Sequence, residues 1–118
     1  MLPRKNRLQK TKDISQIFLR GKFLSCDFLS FKYILKEKCP VKIAFSIGLA
    51  YSPKATLRNR AKRILRQVVQ KRLASFPAGL EGVFFIDKKR LPSDRTWAEK
   101  KLSRLAEKIL TDLENKHK

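Results

Sequence analysis

Residues 41–73 read VKIAFSIGLAYSPKATLRNRAKRILRQVVQKRL, and the reading of this stretch decides the fold. Val41, Ile43, Phe45 and Ile47 alternate with Lys42, Ala44 and Ser46, a period of two that specifies a strand. From Ser52 the period changes. Ser52-Pro53 predicts an N-cap followed by the residue best tolerated in a first helical turn. Leu57, Ala61, Ile64, Leu65 and Val68 then fall on one stripe of a helix that runs to about Leu73. A strand that feeds a long amphipathic helix predicts a helix laid on a sheet.

The flanks extend this pattern in both directions. Upstream, Leu29, Phe31, Tyr33 and Leu35 alternate with Phe28, Ser30, Lys32 and Ile34, giving a second strand, with Lys36 to Pro40 as the turn between the two. Before it, Thr11 and Asp13 can cap a short helix whose Ile14, Ile17 and Phe18 share a face, and Gly21 ends it. Downstream, Phe76-Pro77-Ala78-Gly79 stops the long helix. Gly82 to Ile86 is an apolar run suited to the middle of a sheet, and Leu91-Pro92-Ser93 is a loop. Thr96-Trp97-Ala98-Glu99 has the capping-box pattern, and Ala98, Leu102, Leu105, Ile109 and Leu113 repeat along one face of a last helix. The order α, β, β, α, β, α, with room for one more short strand, predicts an α+β fold: a two-layer α-β sandwich of one central sheet and three helices. The whole chain, 1–118, reads as a single domain, with a basic and flexible stretch over residues 1–10.

Charge narrows the function. With 29 Lys+Arg against 10 Asp+Glu the net charge is +19, a balance that favours a polyanionic partner. The longest apolar run, Val83 to Ile86, is far short of the roughly 20 residues of a spanning helix, so the expectation is no membrane partner. Met1 to Lys12 is basic but leads into no apolar segment, which argues against secretion and for a cytoplasmic protein. The two cysteines, Cys26 and Cys39, have no nearby histidine, and the single histidine is His117. The expectation is two reduced thiols, no zinc site, and no Cys–His or Ser–His nucleophile. Ten scattered acids offer no carboxylate pair for a metal either.

Between Lys38 and Leu80 there is no acid and there are ten Lys+Arg, eight of them from Lys54 to Arg72. Opposite the apolar stripe of that helix stand Arg58, Asn59, Lys62, Arg63 and Arg66, with Arg60 at the margin. Stacked like charges cost a helix ~0.2–0.5 kcal/mol per i, i+4 pair. An unrelieved ridge of this kind points to polyanion binding rather than to an ordinary solvated face. Arginine forks grip phosphate oxygens, and only Asn59 resembles a base reader, so a folded RNA suits the ridge better than a DNA groove.

Leu57-Arg58-Asn59-Arg60-Ala61-Lys62-Arg63-Ile64-Leu65-Arg66-Gln67 resembles the RNR motif of the protein subunit of bacterial ribonuclease P. Asn6-Arg7-Leu8 with Asp13, Phe18 and Gly21, the Val41–Ile47 strand and Gly82–Ile86 resemble that family's other patterns, so the likeness covers roughly the whole chain. The resemblance implies a left-handed β-α-β crossover, against the usual right-handed rule. It implies a protein that joins a catalytic ribonuclease P RNA, as a monomer, to remove the 5′ leader from precursor tRNA by endonucleolytic hydrolysis. The chemistry and the Mg²⁺ then belong to the RNA, with no catalytic group in the protein. Carried over by position, Lys54, Arg58, Asn59, Arg60, Lys62, Arg63 and Arg66 contact the catalytic RNA. A leader cleft between first helix and sheet draws on Ile14, Phe18, Phe31 or Tyr33, and Lys89 or Lys88, because stacked rings and nearby cations suit a single strand. Phe45, Phe84 and Phe85 are assigned to the core. Two departures stand out. Ile14 occupies a position where the family often has an aromatic. Gly48 to Lys54 replaces a Ser-Lys-Lys…Gly-Asn loop, leaving Tyr51 and Lys54 as partial substitutes for its lysines. The competing readings are a structural ribosomal or other RNA-binding protein without a catalytic partner, a basic DNA-binding protein, and an autonomous nuclease.

Overall fold

The computed structural model describes residues 6, 11–36, 40–49 and 51–116. Its elements are α1 (Thr11–Arg20), β1 (Lys22–Cys26), β2 (Leu29–Leu35), β3 (Lys42–Ser46), α2 (Ala55–Arg72) with a 3₁₀ turn at Leu73–Ser75, β4 (Leu80–Ile86) and α3 (Arg95–Lys116). One four-stranded sheet has the order β1-β2-β4-β3. The pairs β1–β2 and β2–β4 are antiparallel, while β3–β4 is parallel.

β4 is central, and both of its faces are covered. This is why Val83 and Phe84, neighbours in sequence, are both fully buried. On one face, Leu29, Phe31, Tyr33, Ile43, Leu80 and Phe84 pack with Ala61, Leu65 and Val68 of α2 and with Ala98, Leu102, Leu105, Ile109 and Leu113 of α3. On the other, Ile17 of α1 packs on Val83, flanked by Ile14, Ile34 and Ala44. Gly82 is demanded by the first face, where any Cβ would overlap the Phe31 ring. Gly79 is demanded by its backbone, with φ +81 and the Lys36 carbonyl where a Cβ would stand.

The backbone bonds fix the hand of the β3–α2–β4 crossover. Asp87 N–H donates to Phe28 O, and Lys36 N–H to Gly79 O. Odd-numbered residues of β4 therefore turn their peptide groups toward β2, and even-numbered ones toward β3. The even-numbered side chains, such as Phe84, face α2 and α3. For an L-residue on an upward strand with its side chain toward the viewer, the peptide groups point right. Seen from the helix layer, β3 lies to the right of β4, so the step from β3 through α2 to β4 runs leftward. The crossover is left-handed, as the family resemblance implies and against the usual rule.

Both expected helix starts are corrected, and the sheet supplies the extra strand and the strand order. The extra short strand is β1, which forms the hairpin with β2 through Asp27, a residue with φ 56. β2 and β3 do not pair, because β4 lies between them. α2 begins at Ala55 with Lys54 as its N-cap, while the Ser52 hydroxyl accepts from Lys54 N–H and shapes the preceding turn. α3 begins at Arg95, and its cap is the Asp94 carboxylate, which accepts from Thr96 and Trp97 N–H, so Thr96 lies inside the helix. Of the N-terminal stretch only Asn6 is described: it is buried and its amide donates to Val41 O at 2.7 Å. Cys39 lies outside the described residues, and Cys26 is a free thiol.

Candidate nucleic-acid interface

α2 presents the cationic ridge because its apolar stripe is occupied. Ala61, Leu65, Val68 and Val69 are buried, and its first turn contains no acid. Asn59, Arg63 and Arg66 are exposed, as is Lys54 at the helix start. Among the described residues no carboxylate pairs with Lys54, Lys62, Arg63 or Arg66, and the Arg66 guanidinium lies 5.9 Å from the Phe45 ring centre. Arg58 and Arg60 are already engaged. Arg58 Nη1 donates to Ser52 O at 2.9 Å, and Arg60 Nε pairs with Glu99 at 2.9 Å. Both retain further guanidinium donors, but their first task is to fix the start of α2 and its packing on α3.

The altered loop before α2 is built from within. Tyr51 and Ser52 are buried, so Tyr51 does not replace a loop lysine at the surface, whereas Lys54 is exposed. Arg95 donates to the carbonyls of Tyr51 and Pro92, and its guanidinium lies 5.9 Å from the Tyr51 ring centre. Burial, then the Glu99 charge, pushes the Tyr51 phenol above its usual pKa, with Arg95 and Arg60 opposing.

The opposite face of the sheet carries an aromatic cleft beside α1. Phe18 meets Phe85 edge-on at 5.2 Å, and Phe23 lies 6.2 Å from Phe85. Phe18 is 36% exposed and Phe23 52%. Lys32 stands between them: its ammonium donates to Phe18 O at 3.0 Å, capping the end of α1, and lies 5.6 Å from the Phe18 ring centre. Ser25 faces Ser30 across the hairpin, and Ser46 faces Phe85. Ser30 is buried, but the rings, the cation and the exposed Ser25 and Ser46 hydroxyls share one face, and they match the requirements of a single-stranded nucleic acid.

Two assignments change here. Phe31 and Tyr33 are buried on the α2–α3 face, stacked at 5.7 Å, and face away from α1. They belong to the core because β2 turns its other parity, Ser30, Lys32 and Ile34, toward α1. Phe85 moves the other way, out of the core and into the cleft. Ile14 packs beside Ile17 and Val83 and offers no ring. Lys89 is exposed in the turn after β4, its N–H bonded to the Asp87 carboxylate, and no contact among the described residues joins it to the three rings. Phe23, Phe85 and Lys32 were not singled out from the sequence. The polar parity of β2 was the available signal, since Ser30 and Lys32 mark the side of that strand that does not enter the main core.

Among the described residues no three His, Cys, Asp or Glu side chains group together as metal ligands. The fold and its two surfaces define an RNA-binding α+β domain. Comparison with known proteins places it within that class. The ribonuclease P family model matches residues 2–110. Ribonuclease P protein components from a Picosynechococcus species and from Microcystis aeruginosa are 32% identical over 78 residues and 31% over 90. The first alignment covers 66% of this chain and 67% of the relative, the second 72% and 74%. The Staphylococcus aureus RNase P protein superposes with a TM-score of 0.77 at 14% identity, covering 91% of this chain and 94% of that one. The Thermotoga maritima protein gives 0.70 at 23%, with 92% and 96% covered. The chain belongs to the ribonuclease P protein family. Its function is that of the family, the protein component of a tRNA-processing ribonucleoprotein with an RNA partner. The reading as a structural RNA-binding protein without a catalytic partner gives way to this.

Proposed function

We propose that the two surfaces divide the work between two RNAs. The ridge formed by Lys54, Asn59, Lys62, Arg63 and Arg66, with the spare donors of Arg58 and Arg60, docks on the catalytic RNA. The cleft formed by Phe18, Phe23, Phe85 and Lys32 holds the 5′ leader of precursor tRNA and so favours precursor over mature tRNA. The observation that carries this reading is the placement of the ridge and the rings on opposite faces of one sheet, so that neither ligand displaces the other. The RNA supplies the hydrolytic chemistry with its Mg²⁺. The net charge of +19 screens the phosphates that crowd there and lowers the Mg²⁺ requirement. No helix among the described residues is long and apolar enough to cross a membrane, and we assign the complex to the cytoplasm.

Separate variants test the division. Arg63→Glu with Arg66→Glu is expected to weaken binding to the catalytic RNA while the bound fraction still prefers precursor tRNA. Phe23→Ala is expected to leave RNA docking intact and erase that preference. Both variants impairing both properties equally would contradict a two-surface protein.

A further inference from the structure

α3 has a third face that neither surface uses. At about 100° per residue, Trp97, Lys101, Arg104 and Lys108 fall within an arc of about 60°, with Glu107 and Glu114 about 90–110° and Glu99 about 170° from its centre. The charges on α3 are therefore sorted. Glu99 pairs with Arg60, and Glu107 and Glu114 pair with Arg72, all toward α2. Asp94 is used as the helix cap. The outer flank keeps Lys101, Arg104 and Lys108, with Asp112 one turn beyond Lys108 as the one carboxylate of α3 not turned to α2 or used as a cap. α3 contacts β1 and β2, whereas β3 and β4 lie at the other side of the sheet, so this flank runs along the β1 edge, away from the α2 ridge.

At the head of the flank stands the single tryptophan of the chain, 43% exposed, with Lys101 Nζ 3.8 Å from the ring centre. A half-exposed tryptophan beside three cations, with Asp112 as the one carboxylate on their flank, leaves an excess of positive charge next to a flat ring, a combination useful to a polyanion that carries bases. We infer that the Trp97–Lys101–Arg104–Lys108 flank is a second RNA-binding surface, which takes single-stranded RNA by stacking a base on Trp97 and pairing phosphates along the helix. From Lys101 to Lys108 the flank extends about 10 Å, enough to follow more than one phosphate. A duplex, whose bases are already stacked, gains nothing from the indole.

Because Trp97 is the only tryptophan, its fluorescence reports on this site alone. The full chain is titrated with a short oligouridylate at low salt, with no catalytic RNA present, and binding is followed in parallel by anisotropy of the labelled oligonucleotide. Saturable quenching of Trp97 is expected. Lys101→Gln, Arg104→Gln and Lys108→Gln together should weaken the quenching transition roughly tenfold or more. The matched loss of charge in Lys62→Gln, Arg63→Gln and Arg66→Gln should leave that transition in place. Trp97→Leu should cost roughly 5- to 150-fold in the affinity of this site, read as loss of the anisotropy component that the first triple variant also loses. Circular dichroism confirms that each variant is folded. Binding by anisotropy with no change in Trp97 emission overturns the inference. So does quenching that disappears equally in the α2 triple variant. Because no catalytic RNA or tRNA takes part, failure here leaves the two-surface reading standing.

Discussion

Phe31 and Phe23 lie close in sequence and on opposite faces of the same hairpin, and the account assigns them opposite roles. Phe31 is buried, lies 4.5 Å from Phe84 and 5.7 Å from Tyr33 between ring centres, and covers Gly82. Truncation to alanine would remove about 3–5 kcal/mol, a large part of a small domain's stability, so leucine is the better probe. Phe31→Leu loses two ring pairs worth ~0.5–1.5 kcal/mol each and refills most of the volume, for an expected cost of about 1–3 kcal/mol. Phe23 is 52% exposed, so Phe23→Ala forfeits about half of a buried phenylalanine's stabilisation, about 1 kcal/mol. In the complex it loses a stacking platform worth about 1–3 kcal/mol per base, or roughly 5- to 150-fold in affinity for leader-bearing substrate. Urea unfolding measures the first quantity. The ratio of precursor to mature tRNA affinity in the reconstituted complex measures the second. Phe31→Leu should move only the unfolding midpoint, and Phe23→Ala chiefly the ratio. If Phe31→Leu lowers the ratio as much as Phe23→Ala at unchanged stability, the assignment of strand faces is wrong.

Three further outcomes follow from the structure. Burial raises the pKa of both tyrosines, Tyr33 and Tyr51, above the usual 10.0. A raised folded-state pKa gives stability that is complete below pH 10 and lost as pH climbs through the folded value; absorbance titration should show less phenolate at pH 10 in the folded chain than in the unfolded one, and Tyr51→Phe should flatten the alkaline loss of stability. Arg72 joins α2 to α3 through Glu107 at 2.8 Å and Glu114 at 3.1 Å, and Arg72→Met should cost about 1 kcal/mol in low salt and less in high salt, read by thermal unfolding. Removing Arg63 or Arg66 should reduce the slope of log affinity against log salt by about 0.7–0.9 for each lost phosphate contact, measured by filter binding to the catalytic RNA.

Periodicity made most of the fold legible. The alternation at Leu29–Leu35, the apolar run at Gly82–Ile86 and the stripe from Ala98 to Leu113 lie in the elements they predict, and the alternation at Val41–Ile47 overruns β3 by one residue at each end. Sheet order was not legible, because the insertion of β4 between β2 and β3 is decided by the crossover and by no local preference. β1, with Phe23, Leu24 and Cys26 as the apolar residues of the five-residue KFLSC, is too short to show a period. The helix starts shifted because Ser52 and Thr96 resemble caps, while the bonds go to Lys54 N–H from Ser52 and to the first turn of α3 from Asp94. The ridge was readable because charge on a helix needs only its spacing. The cleft was half readable. β2 has rings on one parity and Ser30 with Lys32 on the other, and ring content suggested the wrong side. Two adjacent phenylalanines, Phe84 and Phe85, cannot both enter one core, and that pair was the overlooked clue.

The central claim is that this chain acts by organising RNA that performs the cleavage. The most direct measurement is reconstitution: the purified chain, a bacterial ribonuclease P RNA and precursor tRNA at low Mg²⁺, followed for release of the 5′ leader against each component alone. The account predicts cleavage in the mixture only, with loss of that cleavage when Arg63 and Arg66 are reversed to glutamate. Leader release by the protein alone, or no gain over the RNA alone, would contradict it.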